Sequence, residues 1–97
     1  MPRVVLAPAL TRWLAPGAQA GVGEVAVATQ GARLDEVLAG LFAQHPGLRG
    51  YVLDERGAIR HHVAIFVDGD AVRDKQRPTQ AVRADSEIYV MQALSGG

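Results

Sequence analysis

The chain has 97 residues, 48% of them apolar, and ten basic side chains balance ten acidic ones. This length and balance predict one small soluble globular domain and argue against a nucleic-acid surface. The absence of cysteine excludes disulfides, thiolate metal sites and a cysteine nucleophile. No apolar stretch approaches the roughly 20 residues of a membrane span and no signal pattern is present, so we expect no membrane association and a cytoplasmic location.

The first third of the sequence predicts two strands that form a hairpin. Residues 3–7 are rich in β-branched side chains and are followed by Pro8. A turn signal lies at residues 15–17 (Ala-Pro-Gly), and residues 23–28 then alternate polar and apolar side chains. These two segments are close enough in sequence to pair with each other.

One amphipathic helix is predicted over about residues 33–45. Its apolar residues recur at helical spacing and form a single stripe, which comprises Leu34, Val37, Leu38, Leu41 and Phe42. Asp35 and Glu36 suit the positive end of the helix dipole, and Pro46 and Gly47 end the helix. We expect a short helical turn over residues 48–53 and a chain turn over residues 54–57 to follow.

Two strands are predicted in the last third of the chain. Residues 62–67 give the strongest strand signal and end at Asp68 and Gly69, and residues 87–94 form the final strand, with a polar segment between them. The order of elements is strand, strand, helix, strand, short element, strand. It predicts a two-layer α+β domain with the helix across one face of the sheet.

Strand alternation places some large apolar side chains on the face away from the helix. Val63, Ile65 and Val67 point one way, and His62, Ala64 and Phe66 the other. In the final strand Ile88 and Val90 point inward, with Tyr89 and Met91 opposite. If the two strands are neighbours, Phe66, Tyr89 and Met91 form an exposed apolar patch, which is a candidate partner surface; the alternative is that an aromatic ring folds over a sheet edge as additional core.

The last five residues, 93–97 (Ala-Leu-Ser-Gly-Gly), are predicted to form a flexible tail. Glycine has no Cβ, so Gly96 and Gly97 can enter a narrow channel and present the terminal carboxylate to an enzyme. Five extended residues span at most about 17 Å. A cloning remnant or a frayed terminus is the alternative explanation of the glycine pair.

The last third of the chain resembles the ubiquitin-like sulfur carriers of the MoaD/ThiS group. This group includes the small subunit of molybdopterin synthase, the thiamine sulfur carrier and a cysteine-biosynthesis carrier. The matching segments are residues 62–69, 70–73 and 88–97. The resemblance implies a single β-grasp domain over residues 1–97, with a mixed sheet of four to five strands and one main helix packed on one face.

The sequence departs from the family pattern at four positions. Asp68 stands where the family often has Asn, which hardly disturbs a turn. Asp85 stands where Gly is usual, and Asp tolerates left-handed backbone better than most residues do. Gln92 replaces a frequent Pro, and Ser95 replaces a common Ala. None of these changes affects Gly96 or Gly97.

The resemblance implies that the chain is not an enzyme but the co-substrate of one. An E1-like activating enzyme would use MgATP to adenylate the Gly97 carboxylate, and a sulfur donor would convert the adenylate to a thiocarboxylate. Gly96 and Gly97 would carry the chemistry. The predicted partner-binding residues are Phe66, Tyr89, Met91, Leu94 and Ser95. The chain itself is expected to bind no cofactor.

The acceptor of the sulfur would be a biosynthetic enzyme. The long segment over residues 53–59 looks more like the cysteine-biosynthesis carriers, which slightly favours a cysteine synthase-like acceptor over the molybdopterin and thiamine pathways. If the partner is a molybdopterin synthase large subunit, the chain would be a stable non-catalytic small subunit of that enzyme and not a shuttle.

A second hypothesis is that the chain has no sulfur chemistry. It would then be a ubiquitin-like interaction module, or a protein modifier joined to lysines of other proteins through Gly97. Lys75 is the only lysine, which limits the building of chains of the modifier. No metal site is expected, because His61 and His62 are adjacent and point opposite ways on a strand, and His45 ends a helix.

Overall fold

The structure is a computed structural model that describes residues 1–13 and 25–92. Its strands form one mixed sheet in the order β2-β1-β5-β3-β4. The strands are β1 (Arg3–Leu6), β2 (Val25–Ala28), β3 (Val63–Val67), β4 (Asp70–Ala71) and β5 (Glu87–Gln92). The helices are α1 (Leu34–Gln44) and α2 (Arg49–Val52), with 3-10 segments at Pro8–Trp13 and Pro46–Leu48.

The sheet is built around a parallel pair formed by the first and last strands. β1 pairs parallel with β5, whereas β1 with β2, β3 with β5 and β3 with β4 are antiparallel. The hairpin predicted for the first two strands is therefore confirmed, as is a mixed sheet of five strands. Residues 15–17, predicted as the hairpin turn, lie outside the described residues.

α1 begins and ends where local chemistry requires. The Glu36 carboxylate accepts the backbone N–H groups of Ala32 (2.9 Å) and Arg33 (3.1 Å), which the first turn of a helix cannot satisfy internally. At the other end the His45 N–H donates to the Leu41 carbonyl (2.9 Å), and Pro46 follows. The predicted helix over residues 33–45 thus includes both capping residues.

The core lies between α1 and the inner face of the sheet. All five residues of the predicted helical stripe are buried, together with inward-facing residues of β1, β3 and β5. The described part of the core includes Val4, Leu6, Leu34, Leu38, Leu41, Val63, Ile65, Ile88 and Val90. Burial of each such aliphatic side chain is worth about 1.5–3 kcal/mol, so these alternating positions specify which face of each strand is covered.

A two-residue turn joins β3 to β4. Asp68 (φ +50°) and Gly69 (φ +89°) both have positive φ, as a type I′ hairpin turn requires. Asp68 is the only non-glycine residue with positive φ in the described ranges. The left-handed position is therefore Asp68, whereas Asp85, which stands where the family usually has Gly, does not have a positive φ.

The strand boundaries differ slightly from those predicted. β3 begins at Val63, because His61 and His62 form a turn that leads into it. β5 is described as far as Gln92, so the predicted strand residues 93–94 and the predicted tail, residues 93–97, lie outside the described ranges. The helical turn predicted over residues 48–53 is confirmed as α2.

Candidate functional site

The two strands that carry the predicted patch are neighbours in the sheet. Phe66 pairs with Tyr89, and Ala64 pairs with Met91. All four side chains are half-buried. Val63 and Ile65, which alternate with Ala64 and Phe66 along β3, are 0% and 1% exposed and lie on the opposite face. Phe66, Tyr89 and Met91 therefore lie side by side on the face of the sheet opposite the main core, and their role in binding remains a prediction.

Val5 extends this surface across the parallel pair of strands. It pairs with Tyr89, and its side chain is 8% exposed. Sequence reasoning missed Val5 because Val4, Val5 and Leu6 are consecutive apolar residues without alternation. The surface termed the outer face is formed by Val5, Ala64, Phe66, Tyr89 and Met91.

The last described residue of β5, Gln92, lies at one end of the outer face. It pairs with Val63 at the start of β3. This end of the sheet is one position beyond the Ala64–Met91 pair, and it is the tail root. Leu94, Ser95, Gly96 and Gly97 lie outside the described residues.

Charged side chains lie at the other end of the outer face. Arg3 and Glu87 pair in the sheet and form a solvent-exposed ion pair. Exposed ion pairs add little stability, but here the pair marks where the apolar surface ends.

The Asp68 carboxylate joins the end of β3 to the start of β5. It accepts the Glu87 backbone N–H (2.9 Å) and the Ser86 hydroxyl (2.8 Å). The backbone N–H of Asp68 donates to the Glu87 carbonyl (2.9 Å). These hydrogen bonds, first that from the Glu87 N–H and then that from Ser86, lower the pKa of Asp68 from its ordinary value.

Lys75 is engaged within the domain. Its Nζ donates to the carbonyl oxygens of Val63 (2.7 Å) and His61 (3.3 Å). The sequence indicated only that a lone lysine limits chain building. The structure shows that this amine satisfies backbone carbonyls next to the tail root.

Two absences concern the described ranges alone. In residues 1–13 and 25–92, no three or more His, Cys, Asp or Glu side chains are grouped so that they could hold a metal ion. Within the same ranges, no helix has the length and apolar character needed to cross a bilayer.

The sheet order, with a parallel central pair and one main helix on the inner face, defines a ubiquitin-like β-grasp protein. The sequence model of the ThiS family matches residues 15–97, which is most of the chain. The chain therefore belongs to the ThiS family, which places it among the ubiquitin-like sulfur carriers and modifiers. No curated protein matches it.

Several solved structures share the fold. SAMP1 from Haloferax volcanii is 24% identical with a TM-score of 0.71, and the match covers 99% of this chain and 98% of that one. CysO from Mycobacterium tuberculosis is 21% identical with a TM-score of 0.73, covering 94% and 99%. A chain of the BexX/CysO complex from Amycolatopsis orientalis is 19% identical with a TM-score of 0.73, covering 97% and 99%.

Proposed function

We propose that this protein is a sulfur carrier whose Gly97 carboxylate is adenylated and converted to a thiocarboxylate. The observation that carries the proposal is the ThiS family match, which runs through Gly96 and Gly97. The position of the tail root beside the outer face supports it, because a partner docked on that face is within reach of the tail.

The chemistry has two steps, both in the active site of a partner enzyme. A Gly97 carboxylate oxygen attacks the α-phosphorus of MgATP, and pyrophosphate leaves. A sulfide-level sulfur nucleophile then attacks the acyl carbon and forms a C–S bond. The C–O bond to the phosphate breaks, AMP leaves with that oxygen and the bonding electron pair, and the thiocarboxylate remains. A carboxylate is a poor electrophile, so the phosphate supplies the leaving group that the carboxylate lacks.

The chain itself contributes a thread and a docking surface. Gly96 and Gly97 have no side chains to obstruct a narrow channel, and residues 93–97 extend about 17 Å at most. The outer face supplies aromatic and Met side chains, which are enriched at the cores of protein interfaces. We propose that Phe66, Tyr89 and Met91 contact the E1-like activating enzyme. Leu94 and Ser95 would contact the walls of the channel in that enzyme through which the tail enters.

For the acceptor we propose a cysteine synthase-like enzyme, with molybdopterin synthase and the thiamine pathway next. The proposal rests on the length of the segment over residues 53–59. This segment is ordered, since Leu53 and Ile59 form an antiparallel bridge and the Asp54 carboxylate accepts the N–H groups of Arg56 (2.8 Å) and Ala58 (3.0 Å). Because the activating partner uses ATP, we place the protein in the cytoplasm.

The first experiment is the intact mass of the protein isolated from its host under conditions that preserve thiocarboxylates. We expect a fraction heavier by one sulfur-for-oxygen exchange, mapped to the peptide that ends at Gly97. A variant lacking Gly97 is the control and should show no such fraction. If the protein carries only an ordinary carboxylate after incubation with host extract, MgATP and a sulfur donor, the carrier proposal is wrong.

A protein modifier is the second candidate. The likeness to SAMP1, described as small archaeal modifier protein 1, supports it at the level of the fold. The hydrogen bonds of Lys75 disfavour chains built on this lysine. A lysine-linked partner in the same mass analysis would favour the modifier, and partner binding that survives deletion of Gly97 would favour an interaction module.

A further inference from the structure

A groove of about 360 Å³ lies near the tail root. Arg60, His61, His62 and Lys75 supply its basic lining, and Asp54 is its acidic residue. Two of its lining residues, His61 and His62, immediately precede β3, whose Ala64 belongs to the outer face.

The groove lies close in the sheet to the residue from which the tail continues. Val63 pairs with Gln92, so His61 and His62 immediately precede the residue that lies opposite the root of the tail. A partner that covers Ala64, Met91 and Gln92 would therefore lie close to His61 and His62.

The basic side chains of the groove are held in place. The Arg60 Nε donates to the Gly50 carbonyl (2.9 Å), and Lys75 bonds the carbonyl of His61. The His62 ring lies edge-on to Tyr51 at 5.0 Å, and the His61 ring lies 6.1 Å from that of His62. Ordered donors lose less side-chain entropy on binding than mobile ones do.

The acidic side chain of the groove is already engaged. The Asp54 carboxylate accepts two backbone N–H groups within its own turn, and these hydrogen bonds, first that from Ala58, lower its pKa. The groove thus has one carboxylate, which is already hydrogen-bonded, and four basic side chains. Its arginine and lysine also donate to backbone carbonyls, whereas its two imidazoles make no such bond within the described residues, so the groove complements an anionic group. Neutral imidazole also has an N–H to donate, so carboxylates can bind His61 and His62 in either protonation state.

We propose that this groove binds Asp or Glu side chains of the activating enzyme, next to the apolar contact on the outer face. The inference rests on the proposed function and specifies the chemistry of the partner: an apolar surface flanked by carboxylates on the side where the tail enters. Complementary charges of this kind accelerate association and fix the orientation of the complex.

The test is ATP–pyrophosphate exchange with the activating enzyme encoded in the same genome, with the full chain as co-substrate. His61→Glu replaces an exposed imidazole of the groove with a carboxylate, which repels acidic side chains. Gln80→Glu adds a carboxylate at an exposed position outside the groove and is the control. We expect His61→Glu to raise the KM for the carrier about tenfold at low salt with kcat unchanged, and less at high salt. Gln80→Glu should stay within about twofold of the wild type.

Several results would overturn the inference. Equal KM values for His61→Glu and the wild type, or a change in the KM for ATP alone, would show that the groove does not meet acidic side chains of the partner. A shift of the imidazole NMR signals of His61 and His62 on deletion of residues 93–97 would assign the groove to the tail of this chain. If the wild-type chain supports no exchange, the proposed function fails as well, whereas normal exchange with an insensitive His61→Glu variant removes the groove alone.

Discussion

The two faces of the sheet are made by the same strands but differ in side-chain chemistry. On the inner face, β3 and β5 present β-branched aliphatic residues that are almost fully buried, such as Ile65 (1% exposed) and Ile88 (0%). On the outer face, the same strands present Phe66, Tyr89 and Met91, which remain half-exposed. The difference indicates that the inner face stabilises the fold, whereas the binding of a partner to the outer face remains a prediction.

The strongest test of this contrast is a truncation on the inner face. Ile65→Ala removes a buried side chain that packs in the main core, and we expect the free energy of unfolding to fall by about 2–5 kcal/mol. Urea denaturation followed by circular dichroism measures the loss. A loss below about 1 kcal/mol would mean that the inner face does not carry the stability.

The adjacent residue on the outer face should behave differently. Phe66→Ala removes a half-exposed ring, so we expect a smaller loss of stability than for Ile65→Ala. Binding to the activating enzyme should weaken by about 2 kcal/mol, the size typical of a central aromatic contact. Calorimetric titration checks this, with Ala71, an exposed residue paired with Phe66, changed to Ser as the control. Unchanged affinity in Phe66→Ala would remove the outer face as the docking surface.

Acid should weaken the connection between β3 and β5. Because the folded-state pKa of Asp68 lies below its ordinary value of 3.8, its contribution is complete above that value and is lost as pH falls through the folded pKa. Asp68→Asn should therefore flatten this part of the stability–pH profile, measured by thermal unfolding between about pH 2 and 5. Asp70→Asn, at an exposed residue of β4, is the control, and an equal flattening there would contradict the assignment.

The smallest effect is expected at the polar end of the outer face. Arg3 and Glu87 form an exposed ion pair, so Glu87→Gln should change the free energy of unfolding by less than about 1 kcal/mol. Urea denaturation at low and high salt measures it. A larger loss would mean that this pair, and not the apolar packing, holds β1 against β5.

Local sequence patterns determined the elements and their faces. The helical stripe from Leu34 to Phe42 was predicted residue by residue because a 3.6-residue period shows which side of a helix is buried. The alternation in β3 likewise predicted that Val63 and Ile65 are inward and Phe66 outward. The resemblance of the chain end to the sulfur carriers also came from sequence, through Gly96 and Gly97.

The tertiary structure alone decided which elements meet. Arg3 and Glu87 are 84 positions apart, and no local period shows that their strands pair in parallel at the centre of the sheet. That pairing places Val5 beside Tyr89, which consecutive apolar residues in β1 could not indicate. The engagement of Lys75 with the carbonyls of His61 and Val63 depends in the same way on contacts between segments distant in sequence. Periodicity reports the burial of one segment against an unspecified neighbour, whereas the identity of that neighbour is a property of the folded chain.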